Sequence, residues 1–558
     1  MSANFAPNFA PVPVPGSAWS DDKVHYLRGE KPLHEYLFDH ARIVPDNRAY
    51  VFYGTEISWA QAADGVRRLA AFFKQRGVGQ GDRVALYMQN CPQYILAHYA
   101  VQSLGAMVTP VNPQYKAAEI AYQLGNAEVC AIVVADDLYP LVAQVRDQVP
   151  TLKTVVSVSY RDYLPDAPTL PVPKELLNDA AAPGGDSVAL REILAECAPL
   201  EEFEPVDLWD GVGLMTFTSG TTGRPKGALL SYGSSLFKMA ASYQANRLDI
   251  DGVSLAIAPL CHIAGMNNGV YMPVYARRGS IILARFDAET AIQAIEKYNV
   301  DMWYSIAPMN RAILDLPGVE QRNLRSLKHN PTTSFGMPVT EKLAGEWKKL
   351  TGCQMHEAAY GLSETHTSDT FMPKNRIRWG SCGVPMAEND IQIIDIETGK
   401  RLGANQSGEI VVRNRAVFKG YWKRDDATAE TLRHGAVHTG DVGYFDEEGY
   451  LFFTGRIKEM IKSSGYSVFP EDVEALMQDH PAIAQSAAIG IPDPKRGESV
   501  KLFVVLKPEY QGKVGEQELI DWAKEHMAAY KYPRELAFID SLPATGAGKV
   551  LRRMLKEA

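Results

Sequence analysis

Residues 216–231 read TFTSGTTGRPKGALLS, which places three glycines, six hydroxyl side chains and the cations Arg224 and Lys226 in one run. Gly220, Gly223 and Gly227 let backbone amides come closer to a ligand than a chain bearing Cβ atoms permits. Amides, hydroxyl donors and positive charge together suit a polyphosphate, whose oxygens demand many convergent donors. Gly227 follows Lys226 where a Walker A loop needs Ser or Thr, so this is not the loop of a P-loop NTPase. Val212, Leu214, Met215 and Phe217 precede the run as a buried-strand signal, and Ala228, Leu229 and Leu230 follow it. It is therefore clamped between ordered elements and is not a free Gly/Ser/Thr loop.

Other clusters far along the chain suit the same ligand. Residues 360–365, YGLSET, combine an aromatic face for a purine (Tyr360), a hydroxyl for a phosphate (Ser363) and a carboxylate for Mg²⁺ (Glu364). The neighbouring HEAAY at 356–360 lacks the second His of a zinc-protease helix. HTGD at 438–441 sets Asp441 in a glycine turn, as an acceptor for paired ribose hydroxyls or simply a turn-former between strands. Arg456, within TGRIKE at 454–459, is a second polar candidate. In LPATGAGK at 542–549, Lys549 follows a glycine-rich stretch, as a phosphate partner or a solvated surface lysine.

These groups need an α/β scaffold, and the pattern supplies one. Ser58 and Gln61 form a capping-box pair ahead of a helix that stops near Gly77. Residues 83–88 read as a buried strand, 92–104 as a helix and 107–111 as the next strand, an alternation typical of parallel sheets. GVGQG at 77–81 follows a helix and precedes a strand, the reverse of a dinucleotide site, so it reads as a C-cap and turn. Residues 164–186, rich in Pro, Asp, Gly and Ala, read as a surface insertion or linker. From 390 to 413 the texture changes to short alternating strands, a small β unit, and after Gly455 about a hundred residues read as a compact mixed domain.

A chain of 558 residues exceeds one hydrophobic core. Its net charge of −9 argues against nucleic acid as a main partner, since phosphate neutralisation needs a basic surface. Six cysteines without a CxxC pair suit a reducing cytoplasm and offer neither a zinc site nor a disulfide framework. No run approaches the ~20 apolar residues of a membrane span, and the Pro/Ala-rich start lacks signal-peptide features and reads as a flexible arm over residues 1–25.

Taken together, SGTTGRPKG, YGLSE, HTGD, GRIKEMIKSSGYSVFPEDVE and PATGAGKV resemble, in type and order, the motifs of the adenylate-forming superfamily of acyl-CoA synthetases, luciferases and nonribosomal-peptide adenylation domains. The resemblance runs from about residue 36 to 555 and is nearest to fatty-acyl and related CoA ligases. It implies a large multi-subdomain α/β domain over 26–457, and a small mobile α+β lid over 458–558 hinged at Lys458. It also implies a two-step reaction: the acid attacks the α-phosphate of Mg·ATP, and coenzyme A then takes the acyl group from the adenylate.

Carried over to this chain, Thr218, Ser219, Gly220, Thr221, Thr222, Gly223 and Lys226 would hold the β- and γ-phosphates. Tyr360 and Gly361 would meet adenine with Gly336 and Pro338, and Ser363 and Glu364 would serve the α-phosphate and Mg²⁺. Asp441 and Arg456 would fix the ribose, and Lys549 would bridge the α-phosphate and the carboxylate. After rotation at Lys458, the Ser464-Gly465-Tyr466 segment would border the coenzyme A tunnel.

Departures from the pattern bear on substrate. Phe335-Gly336-Met337-Pro338 stands where many relatives have Gly-Gly-Ala-Pro, so Phe335 either fills acyl-pocket volume or packs outward into the core. His262 is a gate candidate between acyl and coenzyme A tunnels, and Met266, Trp303, Tyr304 and Met309 are apolar lining candidates. No acid stands beside Cys261 and Ile263 to meet an ammonium group, which favours an apolar carboxylic acid over an amino acid. Delivery to a carrier protein, an oxidative luciferase-like activity and a non-catalytic nucleotide-binding homologue are the competing readings. Peripheral membrane contact and a homodimer are compatible with the sequence.

Overall fold

The computed structural model describes residues 23–177, 187–218, 225–335, 337–464, 466–544 and 550–556. The alternation expected near the N-terminus builds a seven-stranded sheet in the order Ser187–Ala189, Thr154–Val158, Ala131–Ala135, Arg83–Tyr87, Met107–Val111, Val212–Thr218, Lys226–Ser231. Its strands run parallel until the last pair, an antiparallel hairpin in which Thr218 lies opposite Lys226. Every residue of Met107–Val111, Ala131–Ala135 and Thr154–Val158 is buried, as expected of parallel strands covered on both faces. Helix Trp59–Gln75 starts where the capping pair required: Ser58 Oγ accepts from Gln61 N at 3.2 Å, and Gln61 Oε1 accepts from Ser58 N at 2.8 Å. Gly77 and Gly81 sit at φ +80° and +82°, the left-handed backbone of a cap and a turn.

A five-stranded sheet, ordered Met302–Trp303, Val253–Ala256, Gly279–Ile282, Arg48–Phe52, Thr55–Ser58, forms a second α/β layer. A three-stranded parallel sheet of Ser305–Ile306, Asn330–Thr333 and Met355–Glu357 leads from it toward Tyr360. The texture change at 390 is the antiparallel unit Asp390–Ile394, Gly408–Arg413, Ala436–Phe445, Leu432–Arg433 with Leu451–Arg456 alongside. The small C-terminal domain is a separate sheet, Tyr466–Val468, Ile461–Ser463, Gly497–Leu506, Ile483–Asp493 with Glu535–Phe538, closed over its own core by helices Pro470–Met477 and Glu516–His526.

Two expectations need revision. The described part of the supposed linker is docked: Leu170 and Leu176 are 3% and 2% exposed, and Thr169 N donates to Tyr53 O at 2.8 Å. Its Pro-rich composition concealed two leucines that reach the core. The end of the supposed arm is also held, since Val24 N donates to Glu388 Oε1 at 2.9 Å and Tyr275 OH donates to His25 O at 3.0 Å. No helix among the described residues is long and apolar enough to cross a membrane.

Candidate active site

The hairpin carrying Thr218 and Lys226 meets the YGLSE turn through a segment that sequence reasoning overlooked. Residues 418–422 run alongside Lys226–Ser231: Trp422 N donates to Gly227 O, Lys419 N to Leu229 O, and Leu229 N to Gly420 O, at 2.8, 2.8 and 3.0 Å. On its other side, Phe418 N donates to Glu364 O at 2.8 Å, and buried Tyr421 donates its phenol to Glu364 Oε1 at 2.5 Å. Lys226 Nζ lies 4.2 Å from the centre of the Tyr421 ring, a cation–π contact. Burial pulls the Lys226 ammonium below its usual value; the Glu364 carboxylate opposes this, and Lys458 and Arg424 add to it. Glu364, Lys226 and Lys458 thus share one electrostatic neighbourhood despite their spread along the chain.

A second group adjoins the first. Asp441 and Arg456 are directly opposed on neighbouring antiparallel strands, and Arg456 Nε lies 3.0 Å from Asp441 Oδ1. The expected glycine turn is instead an irregularity inside the continuous strand Ala436–Phe445, where Gly440 takes φ +68° and Asp441 N donates to Thr439 Oγ1 at 3.0 Å. The buried Tyr360 phenol donates to Asp441 Oδ2 at 2.8 Å. Burial works against the Arg456 charge, but Asp441, Glu459, Tyr360 and Glu364 outweigh it and raise its pKa. One arginine therefore senses the acids of both groups.

Ser363 opens a short 3-10 turn, Ser363–Thr365, and stays partly accessible. After it, His366, Thr367 and Ser368 take φ of +61°, +53° and +51°, three consecutive left-handed residues that are not glycine. Such residues cost roughly 1–2 kcal/mol each and persist only where surroundings hold them. A Cβ on Gly361 would come within 2.5 Å of Ser368 N, so glycine is required beneath this turn. Lys238 holds it from the core: its ammonium, fully buried, donates to Ser368 O at 3.1 Å, to Asp369 Oδ1 at 2.5 Å and to Asn389 Oδ1 at 3.0 Å. Asn414 and Thr365 also donate to Asp369. Asn267 Nδ2 donates to His366 O at 3.1 Å. This clamp carried no sequence signal beyond a lysine in an otherwise uncharged helix.

Phe335 and Pro338, expected to flank an adenine, follow Asn330–Thr333; Pro338 is exposed. Phe335 is half-buried and is not packed on the hydrophobic clusters, whereas Met337 is. Ser334 anchors the loop, bonding Glu357 through both its amide and its hydroxyl, and its Oγ accepts from Val339 N at 2.9 Å. Burial pushes the Glu357 carboxyl up to about 7, against the lowering effect of Ser334.

Two lining candidates end in different places. Trp303 closes the strand Met302–Trp303, fully buried between Phe286 and Trp347 in the core. Tyr304, in the link before Ser305–Ile306, shares a hydrogen bond with Thr333 Oγ1 at 2.9 Å, burial pushing its phenol up to about 12. His262 is exposed as the N-cap of helix Ile263–Met266, and Met266 is fully buried.

Ser464 and Tyr466 belong to the C-terminal sheet: Ser464 N donates to Arg496 O at 2.8 Å, and Tyr466 stacks on Tyr530 at 4.3 Å. Among the described residues no hydrogen bond or ring contact joins them to the Lys226–Glu364 group. Ser219, Gly220, Thr221, Thr222, Gly223, Gly336, Gly465 and Lys549 lie outside the described residues.

Comparison with known proteins matches this geometry. The model of the AMP-binding enzyme family matches residues 37–422, and that of the AMP-binding enzyme C-terminal domain matches 472–549. A long-chain-fatty-acid–CoA ligase of Bacillus subtilis is 33% identical over 94% of both chains. A feruloyl-CoA synthase of an Amycolatopsis species is 32% identical over 92% of this chain and 96% of its own. Among solved structures, ATP-bound MatB from Rhodopseudomonas palustris superposes with a TM-score of 0.82 at 25% identity, covering 94% of this chain and 98% of its own. An anthranilate CoA ligase holding anthranoyl-AMP has the same fold, with a TM-score of 0.82 at 23% identity, over 96% and 98%. With its Thr218–Lys226 hairpin, YGLSE turn and Asp441–Arg456 pair gathered in one region, the chain belongs to the AMP-binding enzyme family, as an acyl-CoA synthetase-like member of the adenylate-forming superfamily.

Proposed function

We propose that the acid activated by this AMP-forming acyl-CoA ligase has an apolar body, a medium- or long-chain fatty acid or an aryl-alkyl acid, with coenzyme A as acceptor. The observation that carries the ligase reading is the meeting of Lys226 and Glu364 at Tyr421, with Lys458 electrostatically coupled to Lys226 and with Tyr360, Asp441 and Arg456 alongside. The fatty-acid and feruloyl relatives, and the absence of an acid beside Cys261 and Ile263, support the apolar body.

A carboxylate is a poor electrophile, so its oxygen must become part of a good leaving group. In the first step that oxygen attacks the α-phosphorus of ATP and the bond to pyrophosphate breaks. In the second, the coenzyme A sulfur attacks the acyl carbon and AMP leaves. Charge grows on phosphate oxygens in the first step, and preorganised cations and amides lower that barrier. In this reading Thr218, Lys226 and the run between them hold the β- and γ-phosphates. Tyr360 lies against adenine, Asp441 and Arg456 hold the ribose, and Ser363 meets the α-phosphate.

Glu364 suits Mg²⁺, which takes one or two carboxylates and completes its shell with phosphate and water. Glu364 would hold the cation, its carboxylate kept in place by the Tyr421 phenol on Oε1. Bound there, Mg²⁺ would neutralise phosphate charge.

Lys549 would bridge α-phosphate and carboxylate, and the domains would divide at Lys458 into 26–457 and 458–558. The short turn Ile457–Glu459 supports that division: with Met460 it separates Arg456, in the ribose pair, from the first strand of the C-terminal sheet, Ile461–Ser463. Six free cysteines suit a cytoplasmic setting. The test is Lys549→Ala, assayed for acid-dependent pyrophosphate–ATP exchange and for thioester formation from supplied acyl-adenylate. Loss of the first with retention of the second is expected; equal loss of both contradicts the alternating lid.

A further inference from the structure

The turn Ile457–Glu459 is held on its two sides by ion pairs from different parts of the molecule. Before it, Arg456 pairs with Asp441 in the antiparallel unit of the large domain. At its end, Glu459 pairs with Arg552, 93 residues further on, at the start of the last helix, Arg552–Lys556. Only 12% of the Arg552 side chain is exposed, and its guanidinium has further partners. Nη1 lies 3.0 Å from Glu471 Oε1, Nη2 donates to Glu474 Oε2 at 2.8 Å, and Nε donates to Glu474 Oε1 at 3.2 Å. Glu471 and Glu474 share helix Pro470–Met477, and Glu474 Oε1 also accepts from Ala488 N at 2.7 Å. One planar fork thus gathers the turn, the first helix and the last helix of the small domain, which the point charge of a lysine could not do.

Three carboxylates around one cation exceed what a stabilising pair requires. Burial pushes the Glu471 carboxyl up to about 7 against the pull of Arg552. Among the described residues Glu471 Oε2 is buried without a hydrogen-bond partner. Such an arrangement contributes little net stability and suits a demand for fixed geometry. The geometry it fixes crosses the domain boundary. Helix Pro470–Met477 packs on strand Leu451–Arg456, where a Cβ on Gly455 would come within 2.7 Å of Glu471 Oε2. The cluster therefore sets where the small domain stands relative to Arg456 and Asp441. Immediately before Arg552, Leu551 N donates to Pro543 O at 2.8 Å and Val550 bridges Ala544, which closes the base of the segment bearing Lys549.

We propose that Arg552 is a positioning residue for adenylation: by gripping Glu459, Glu471 and Glu474 it fixes the base of the Lys549 segment against the turn that follows Arg456. The inference rests on the reading of Lys549 as the bridge between α-phosphate and carboxylate, and adds the group that aims this lysine. In the thioester step Lys549 is withdrawn, so the grip is not needed there. A shift of about 1 Å in a reacting group costs on the order of 100-fold, so the loss falls on one half-reaction.

The experiment uses the full-length enzyme with octanoate, dodecanoate and cinnamate. It measures acid-dependent pyrophosphate–ATP exchange, thioester formation from the supplied acyl-adenylate, and urea unfolding. Arg552→Met should lower kcat for exchange by about 30-fold or more, with KM for ATP and the thioester step each within about threefold of wild type. Arg552→Lys should recover part of the exchange. Glu459→Gln, which leaves Glu471 and Glu474 to hold Arg552, should lower exchange alone and decides the matter if Arg552→Met fails to fold. Adding Arg552→Met to Lys549→Ala should cost exchange nothing further. Equal loss of both half-reactions, or exchange within about threefold of wild type in a folded Arg552→Met or in Glu459→Gln, overturns the role of Arg552. If Lys549→Ala alone blocks exchange, the ligase reading survives that failure. Full exchange by Lys549→Ala, or no exchange by wild type with any acid, sinks the reading and this inference with it.

Discussion

Tyr421 offers the sharpest test of how the candidate metal carboxylate is held. Its phenol donates to Glu364 Oε1 at 2.5 Å in a buried setting, and its ring lies 4.2 Å beneath the Lys226 ammonium. Tyr421→Phe removes the first contact and keeps the second. A hydrogen bond to a charged acceptor contributes about 1.5–3 kcal/mol, which converts to a fall of roughly 10- to 150-fold in the rate of adenylate formation. Tyr421→Leu also removes the cation–π contact, a further ~0.5–2 kcal/mol, so its loss should exceed that of the Phe variant. The assay is acid-dependent pyrophosphate–ATP exchange across a magnesium titration. A carboxylate free to rotate should bind the metal less well, so half-saturation by Mg²⁺ should move to higher concentration while KM for the acid stays constant. A Phe variant within threefold of wild type in both rate and magnesium half-saturation would show that Tyr421 does not orient Glu364.

Two further outcomes follow from the surroundings of the site. Lys238→Met strands the buried Asp369 carboxylate, and breaking such a pair costs about 3–5 kcal/mol in urea unfolding; adding Asp369→Leu should restore most of it, and an additive double loss would refute the clamp. Glu357, pushed up to about 7 by burial, contributes stability that is complete below its ordinary value and lost as pH rises through about 7. Wild type should therefore lose stability between pH 5 and 8 relative to Glu357→Gln, and parallel pH curves for the two would contradict the shift.

The elements legible in advance were those whose signals are local. Ser58 and Gln61 announce a helix start because both partners of a capping box lie within one turn. Buried parallel strands read as apolar runs because both faces are covered. The motif residues Lys226, Glu364, Asp441 and Arg456 were nameable because each sits in a short stretch of distinctive composition. Tyr421, Lys238, Asp369 and His366 were not: none stands in such a stretch, and each meets a partner more than fifty residues away. Trp303 and Tyr304 show the same limit in miniature, since a strand of two residues has no alternation from which to tell core from site.

By itself the chain determined its α/β class, its order of motifs and the kind of ligand those motifs suit, because composition and short-range spacing decide which backbone shapes and which donors are available. Only the folded molecule decided that Glu364 is gripped by Tyr421, that a buried lysine restrains a left-handed turn, and that Arg552 gathers three carboxylates beside the turn Ile457–Glu459. Burial and partnership are properties of three-dimensional neighbours, and chain distance carries no record of them.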